Sequence, residues 1–417
     1  MLGDAPGFAG QFEAAGQEYQ RAIETVRRPI NVYHSLVMSR KLTEADRPLV
    51  EGMRRLLQQG KAQDFSLVIL HFTLGKALDD LKEYEAAMGH FDAANRLRHR
   101  TSRLDRAALT PQFDGLIERI TPDYFARHAA LGSGDETPLL VLGMPRSGRT
   151  LRYYVANATW ARMHRKPHRQ PRESVDLCRM GPRFRGDDDP LWRLLHNAGT
   201  LTEQIISSHP AVAGGGELRY WLDTGPTWNA GGIRRLTGEN ARRVAEEYVT
   251  MLRDLGPDAA RITDKMTANF MWTGLLHTIF PKVRIIHCKR RPIDICLSIY
   301  STYFTARMDF SADRGDLVFF YRQYERLMEH WRSVVPAEIY YETQYEDLVV
   351  DPEPRSRELI AFRGLDWDDA CLAPERNDRD VRTASVWQAR QPVYRTPVAR
   401  WQRNEPWLGE LRKLLPA

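Results

Sequence analysis

Residues 138–148 read PLLVLGMPRSG, an apolar segment that runs into a turn of glycine, arginine and serine. The unbroken apolar run from Leu139 to Leu142 predicts a short buried β-strand. Glycines leave backbone N–H groups open to an anion, and a helix after such a turn presents its positive end to the same anion. The stretch therefore predicts a strand–loop–helix cradle for a phosphate-like group.

A second buried strand is predicted at residues 283–288, VRIIHC, and it also leads into a basic loop and a helix. Short apolar strands that alternate with amphipathic helices are typical of βαβ units and a parallel sheet. Ligands of such sheets bind beyond the carboxyl ends of the strands, where both basic loops fall. The predicted fold class is α/β: a P-loop-type parallel sheet flanked by helices, spanning residues 138–417 and preceded by an all-α region.

The all-α region covers residues 1–100, which show no strand-like alternation. Its clearest unit, residues 71–97, resembles a tetratricopeptide repeat, in which small residues let two antiparallel helices pack closely. The matching positions are Leu74, Gly75, Tyr84, Ala87, Phe91 and Ala94. Residues 12–23 resemble the second helix of another repeat, so a truncated array is predicted, with an ordinary helical bundle as the alternative. Either arrangement supplies a binding surface rather than chemistry, and a helical connector at residues 101–137 follows it.

The chain of 417 residues is long enough for two domains, and its hydrophobic content of 42% supports packed cores. The net charge of +6 suits anionic ligands, but the basic residues cluster around short motifs, so nucleic-acid binding is not expected. No run approaches the roughly 18 apolar residues that span a membrane and no apolar leader opens the chain, so a cytoplasmic location is expected. The four cysteines lack metal-ligand spacing and are expected to be reduced thiols.

Residues 143–150, GMPRSGRT, have the form of a Walker loop in which Arg149 stands where lysine is expected. A nucleoside-triphosphate site would also need a strand-end aspartate for magnesium. Asp264 ends a weak predicted strand, but Lys265 follows it immediately. A nucleotide kinase is therefore a distant alternative, and no metal site is predicted.

Three further segments could carry chemistry, and each has a simpler interpretation as well. Arg290 ends the second strand and Ser298 lies in a predicted helix, so that the two could face one anion or form a solvated cluster. Glu217 follows three glycines, where a carboxylate could act as a general base, although Glu217 and Arg219 could equally form a surface ion pair. Residues 383–401, rich in Gln, Arg and Pro, are either a loop that lines an anionic ligand or a C-terminal tail.

Taken in order, these motifs resemble those of the sulfotransferases, specifically bacterial tetratricopeptide-repeat sulfotransferases, whose catalytic half is similar to tyrosylprotein sulfotransferases. The segments that carry the resemblance are GMPRSG at 143–148, SHP at 208–210, ELR at 217–219, DKM at 264–266, Arg290 with Ser298, YEDLV at 345–349 and SVWQ at 385–388. Several motifs in the expected order are more specific than any one of them alone. The resemblance covers nearly the whole chain except residues 149–199.

This resemblance implies transfer of a sulfuryl group from 3′-phosphoadenosine 5′-phosphosulfate to an acceptor hydroxyl, without a metal. Glu217 matches the general base that takes the acceptor's proton, and Lys265 matches a lysine that stabilises charge on the transferring group. Arg290 and Ser298 would bind the 3′-phosphate of the donor. The 5′-phosphosulfate would be bound by Arg146, Ser147, Gly148 and Thr200, and further donor contacts would come from Tyr345, Ser385 and Arg400.

The acceptor stays open in this resemblance: a peptide, a saccharide or a small molecule could supply the hydroxyl. The helical repeats would recruit the acceptor or a protein partner. A catalytically impaired protein that acts through its repeats as an interaction module is the alternative function.

That alternative rests on residues 149–199, which interrupt the phosphosulfate loop. Related sequences continue PRSG directly with Thr-Thr-Leu, whereas the next close match here begins at Thr200. The intervening segment is arginine-rich with little apolar periodicity after about Met163, so it is not expected to form its own core. This composition favours a damaging insertion or an artefact of the gene model over a basic lid.

Two threadings of the interrupted loop compete. In one, Thr150 completes the loop and residues 151–162 form the helix that follows it. In the other, which we favour, the loop resumes at Thr200 and the insertion is extruded. Thr200 and Glu203 match a capping box, which predicts the start of a helix over residues 201–208.

Overall fold

A computed structural model of the chain describes residues 12–26, 29–60, 63–144, 198–225, 236–304, 308–362, 364–377 and 399–416. Helices before the sheet are α1 (Phe12–Thr25), α2 (Ile30–Ser39), α3 (Arg47–Gln58), α4 (Asp64–Asp80), α5 (Tyr84–His99), α6 (Arg106–Arg119) and α7 (Pro122–His128). The later helices are α8 (Ala198–Ser207), α9 (Tyr220–Thr224), α10 (Gly238–Arg253), α11 (Thr273–Ile279), α12 (Pro292–Tyr300), α13 (Arg314–Val334), α14 (Tyr345–Val350) and α15 (Pro352–Ala361). Short 3-10 helices lie at Glu44–Asp46, Ala129–Leu131, Thr267–Met271, Asp309–Ala312, Ala337–Ile339, Asp369–Leu372, Pro374–Arg376, Arg400–Trp407 and Gly409–Leu414.

One sheet organises the second part of the described chain. Its strands are β1 (Pro138–Gly143), β2 (Val212–Gly214), β3 (Arg261–Asp264), β4 (Arg284–Lys289) and β5 (Tyr340–Gln344). The strand order is β2-β3-β1-β4-β5, and all neighbouring pairs are parallel. The predicted fold class is confirmed. The two buried strands predicted from sequence are β1 and β4, and the weak strand predicted to end at Asp264 is β3.

The central strand β1 is buried along its whole length. Leu139 and Val141 pack in a cluster with Ile205 of α8, whereas Leu140 and Leu142 belong to the larger core. Successive strand residues point to opposite faces of a sheet, so β1 is covered on both faces. This double burial explains why its sequence is an unbroken apolar run rather than an alternating one.

Helices α4 and α5 pack closely because of one glycine in the predicted repeat. A Cβ atom at Gly75 would lie only 2.4 Å from a ring carbon of Phe91. Such a distance is far inside van der Waals contact, so a larger residue at position 75 would push the two helices apart. The chain turns between them through Lys82, whose φ of 66° lies in the left-handed region.

The helical region is attached to the sheet region through α5. The Asn95 side-chain amide donates to the carbonyl oxygen of Tyr300 over 2.7 Å, and the Tyr300 hydroxyl donates to Asp92 over 2.8 Å. Arg314 at the start of α13 also bonds to Asp92, over 2.6 Å. These contacts fix the end of α12, the helix that carries Ser298, against the helical region.

The described residues also bear on membrane-spanning helices, on the cysteines and on metal-binding groups. No described helix is both long and apolar enough to cross a membrane. Cys288, Cys296 and Cys371 are free and buried, as predicted, and Cys178 lies outside the described residues. Nowhere in the described ranges do three or more His, Cys, Asp or Glu side chains form a group that could hold a metal ion.

Candidate active site

Three of the predicted catalytic and donor-binding residues lie at the carboxyl edge of the sheet. Lys265 directly follows β3, Arg290 directly follows β4, and Glu217 comes shortly after β2. Because all the strands are parallel, their carboxyl ends meet at this one edge, where ligands of such sheets bind. The predicted contacts Arg146, Ser147, Gly148 and Ser385 lie outside the described residues.

Glu217 and Lys265 form a hydrogen-bonded ion pair. The Lys265 Nζ atom lies 2.8 Å from Glu217 Oε1, and the lysine side chain is fully buried whereas that of the glutamate is 26% exposed. A buried ammonium group is stable only beside a compensating charge, and Glu217 supplies one. The ammonium has three donors, so it can bond to this carboxylate and still donate to another oxygen.

The turn before Glu217 requires glycine at two positions. Gly216 has a φ of +71°, which side chains disfavour. A Cβ atom at Gly215 would lie 2.2 Å from the carbonyl oxygen of Thr263. The Gly216 carbonyl accepts a hydrogen bond of 2.8 Å from the Lys265 backbone N–H. Glycine at these two positions therefore brings this turn into contact with β3.

The predicted capping box at Thr200 and Glu203 is wrong. Helix α8 begins at Ala198, so Thr200 is its third residue and not its N-cap. The fully buried Glu203 carboxylate instead accepts hydrogen bonds of 2.8 Å from the Gly216 N–H and from the Thr263 hydroxyl. Tertiary packing therefore uses Glu203 to hold the glycine turn. The Thr200 hydroxyl is buried and has no hydrogen-bond partner within the described part of the chain.

Asp264, the last residue of β3, fixes the backbone that leads into Lys265. Its fully buried carboxylate accepts hydrogen bonds from the Tyr248 hydroxyl over 2.7 Å and from the Met266 N–H over 3.0 Å. Burial raises the pKa of Asp264 to about 6, because desolvation disfavours the charged form. Asp264 is thus a buried, titratable neighbour of the pair formed by Glu217 and Lys265.

The predicted 3′-phosphate contacts lie directly after β4 and on α12. Arg290 is 5% exposed, and its guanidinium carbon lies 5.0 Å from the centre of the Tyr345 ring. The structure thus brings together two residues predicted separately, in a cation–π arrangement. The Ser298 hydroxyl is buried and, among the described residues, has no hydrogen-bond partner. A buried hydroxyl is normally satisfied, so Ser298 is a candidate ligand contact.

Arg400 lies near the same helix but is engaged elsewhere. Its guanidinium lies 3.2 Å from Asp79 of α4 and donates to the Ser301 hydroxyl over 3.3 Å. Asp294 on α12 anchors this C-terminal segment by accepting from the backbone N–H groups of Ala399 and Trp401, at 3.2 Å and 3.1 Å. Burial raises the pKa of Asp294, and these bonds oppose the shift. Sequence reasoning missed Asp294, although an acidic residue in the first turn of a helix is itself a signal.

A family comparison identifies the part of the chain that contains the sheet and the candidate site. The model of the sulfotransferase family matches residues 138–369, which include all five strands and the pair formed by Glu217 and Lys265. A curated relative, an uncharacterized protein of Aquifex aeolicus (strain VF5), is 28% identical over 360 residues, which are 82% of this chain and 41% of the relative. The chain therefore spans about two fifths of the length of the curated relative that it matches.

Two solved structures with some similarity are a sulfotransferase domain and a sulfotransferase. A sulfotransferase domain from the curacin biosynthetic pathway is 13% identical, covers 52% of this chain and 91% of its own, and has a TM-score of 0.33. A sulfotransferase from Mycobacterium tuberculosis H37Rv is 14% identical, covers 86% of this chain and 97% of its own, and has a TM-score of 0.31. With scores this low, the family assignment rests on the match over residues 138–369.

Proposed function

The chain belongs to the sulfotransferase family, and on that basis we propose that it transfers a sulfuryl group from 3′-phosphoadenosine 5′-phosphosulfate to an acceptor hydroxyl. The acceptor oxygen forms a bond to sulfur, the bond between sulfur and the phosphate oxygen breaks, and adenosine 3′,5′-bisphosphate leaves. The ion pair of Glu217 and Lys265 at the carboxyl edge of the sheet is the observation that carries the proposal.

The two members of the pair have complementary roles in this proposal. Glu217 is partly exposed and takes the proton of the acceptor hydroxyl as a general base. Lys265 is buried, and its spare N–H donors stabilise negative charge on the transferring group and on the leaving oxygen. Sulfuryl transfer, like phosphoryl transfer, depends mainly on such positioning and fixed positive charge.

Donor binding would use the other side of the same edge. Arg290, oriented by the Tyr345 ring, and Ser298 would bind the 3′-phosphate, since a guanidinium group donates two parallel hydrogen bonds to such a group. The Thr200 hydroxyl would contact the 5′-phosphosulfate. The remaining proposed donor contacts are Arg146, Ser147, Gly148, Ser385 and Arg400.

The insertion at residues 149–199 favours the impaired interaction module as a second candidate function, because it falls within the proposed phosphosulfate loop.

Helix α8 supports the threading in which the loop resumes at Thr200. It begins at Ala198, and its residue Ile205 packs in one cluster with Leu139 of β1. This packing supports a strand and a helix that stand next to each other on either side of the insertion.

The helical region is proposed to be a truncated tetratricopeptide array that recruits the acceptor or a protein partner. The close approach of α4 and α5 at Gly75 supports this reading, because small residues at helix crossings are typical of the repeat. The acceptor would be a peptide, a saccharide or a small molecule. We propose a cytoplasmic location for this activity.

Donor binding gives the first test. Calorimetric titration with adenosine 3′,5′-bisphosphate should show saturable binding, weakened about 10²-fold by Arg290→Ala because hydrogen bonds between charged groups are lost. Arg291→Ala is the matched control, since Arg291 is the next residue and is exposed. Absence of saturable binding, with partner binding by the helical region retained, would favour the interaction module. Magnesium-dependent ATP turnover would point to a kinase instead.

Transfer itself is tested with a donor that carries radioactive sulfur. A tyrosine-containing peptide, a saccharide and a small phenol represent the three acceptor classes. Labelling of one class identifies the acceptor, and Glu217→Gln should abolish it. Donor binding without labelling of any class would contradict the proposed activity.

A further inference from the structure

Helix α8 carries a buried charge, Glu203, that the proposed chemistry does not use. The side chain is fully buried, and its Oε1 atom accepts two hydrogen bonds of 2.8 Å, from the Gly216 N–H and the Thr263 hydroxyl. Taking a carboxylate out of water costs several kcal/mol unless it is well hydrogen-bonded. A buried carboxylate aimed at a backbone N–H therefore marks a position where that N–H must be held.

The N–H that Glu203 holds belongs to the residue directly before the proposed base. The Gly216 peptide is clamped on both sides: its N–H bonds to Glu203, and its carbonyl accepts from the Lys265 backbone N–H over 2.8 Å. Gly215 is tied to Thr263 through the carbonyl at 3.0 Å and the hydroxyl at 3.1 Å. Since Gly216 sets the direction in which the chain enters Glu217, this clamp aims the base at the lysine.

We propose that Glu203 is a positioning residue that aligns the Glu217–Lys265 pair, and that it does so from the same helix that carries Thr200. This inference rests on the proposed function. Thr200 and Glu203 lie one turn apart on α8, so a shift of this helix would move a donor contact and the clamp on the base together. Helix α8 thus couples the position of Thr200, a proposed contact of the sulfuryl donor, to the position of Glu217, the proposed base.

The variants Glu203→Gln and Glu203→Ala separate hydrogen bonding from simple loss of a side chain. Glutamine keeps a side-chain oxygen that can accept the hydrogen bonds of the Gly216 N–H and the Thr263 hydroxyl, so kcat should stay within about tenfold of wild type. Alanine should lower kcat about 10²-fold, because the base is then misplaced. The KM for the donor should change by no more than about threefold in both, because the 3′-phosphate contacts are intact. Thr202→Val is the control: it is equally buried on α8, its hydroxyl meets Cys288 rather than the glycine turn, and its kcat should be unchanged.

Several results would overturn the proposal. A folded Glu203→Ala variant with wild-type kcat would do so, and so would equal losses of kcat in the alanine and glutamine variants. If Glu203→Ala fails to fold, Thr263→Val replaces it. This variant removes one of the two groups that donate hydrogen bonds to Glu203. It should lower kcat by about tenfold without raising the KM for the sulfuryl donor. An unchanged kcat would count against the proposal.

Amide hydrogen exchange tests the clamp without reference to catalysis. The Gly216 amide should be protected in wild type and in Glu203→Gln, and should exchange at least about tenfold faster in Glu203→Ala or, if that does not fold, in Thr263→Val. Equal protection in all variants would overturn the proposed clamp. A wild-type protein that shows this protection but no sulfuryl transfer would contradict the proposed function while leaving the clamp in place.

Discussion

The two sides of the candidate site differ in how their polar groups are satisfied. On the β3 side, Glu203, Glu217, Asp264 and Lys265 all have hydrogen-bond partners from the protein itself. Near the proposed donor, the hydroxyls of Thr200 and Ser298 are buried but lack such partners within the described residues. Both regions border the same edge of one sheet, yet these four residues have partners from the protein, whereas the two hydroxyls have none within the described part of the chain.

This difference separates preorganisation from ligand binding. Groups that act on a transition state are most effective when the protein fixes them beforehand, because no reorganisation is then needed during the reaction. Groups that bind a ligand can keep their hydrogen-bonding capacity for it, at the expense of stability in its absence. The comparison therefore predicts that mutations on the β3 side lower kcat or alter stability, whereas mutations near the donor alter affinity.

The largest effect is expected for Lys265→Ala. Loss of the fixed ammonium should lower kcat on the order of 10³-fold, the upper range for removing one transition-state donor. The affinity for adenosine 3′,5′-bisphosphate, measured by calorimetry, should change by only about threefold. Lys282→Ala, at an exposed lysine, is the control and should match wild type in both measurements. A collapse of donor affinity in Lys265→Ala would erase the distinction between the two sides.

Asp264 should make the stability of the β3 side depend on pH. Its pKa is raised from 3.8 to about 6, so between these values the folded protein retains a proton that the unfolded chain has released. The free energy of unfolding is therefore higher below this window and falls as pH rises through it, by about 3 kcal/mol from this group. Asp264→Asn removes this contribution.

Urea unfolding from pH 4 to pH 7 checks this expectation. The difference between wild type and Asp264→Asn should vary across the window. A constant difference would show that Asp264 makes no pH-dependent contribution to stability.

Removal of the insertion tests the donor side as a whole. A chain in which one threonine replaces residues 149–199 should bind adenosine 3′,5′-bisphosphate up to about 10²-fold more tightly, because a displaced loop costs about that much. The amide protection of Gly216 should hardly change, since its N–H group is bonded to Glu203. Equal affinity in both chains would sink the idea that the insertion damages the site.

The smallest effect is expected for Ser298→Ala. Without ligand, this variant should be as stable as wild type or slightly more stable, because it removes a buried hydroxyl that lacks a partner in the described chain. Its affinity for the bisphosphate should fall about tenfold. Thermal unfolding and calorimetry measure the two quantities, and Thr263→Val on the other side should show the opposite pattern, with lower stability and unchanged affinity. A destabilised Ser298→Ala would mean that its hydroxyl serves the fold.

Much of the architecture was predictable because burial imposes composition. The apolar run from Leu139 to Leu142 predicts a strand covered on both faces, and residues 283–288 repeat the pattern, so a parallel sheet follows. The strand positions then place Lys265 and Arg290 at one edge before any side chain is seen.

Local patterns failed where long-range contacts compete with them. Thr200 and Glu203 match a capping box, but the helix begins earlier and Glu203 bonds to Gly216 and Thr263. A side chain that can satisfy either a helix end or a distant backbone N–H is assigned by packing, which a local motif does not contain.

The amino-acid sequence by itself determined the fold class, the strands β1, β3 and β4, and the residue types available at the site. Only the tertiary structure decided which of them meet: Lys265 with Glu217, Arg290 with Tyr345, and Glu203 with the glycine turn. The reason is physical. Hydrophobic periodicity acts within one element and can be read in order, whereas hydrogen bonds and ion pairs form between atoms that folding brings within about 3 Å from distant positions in the chain.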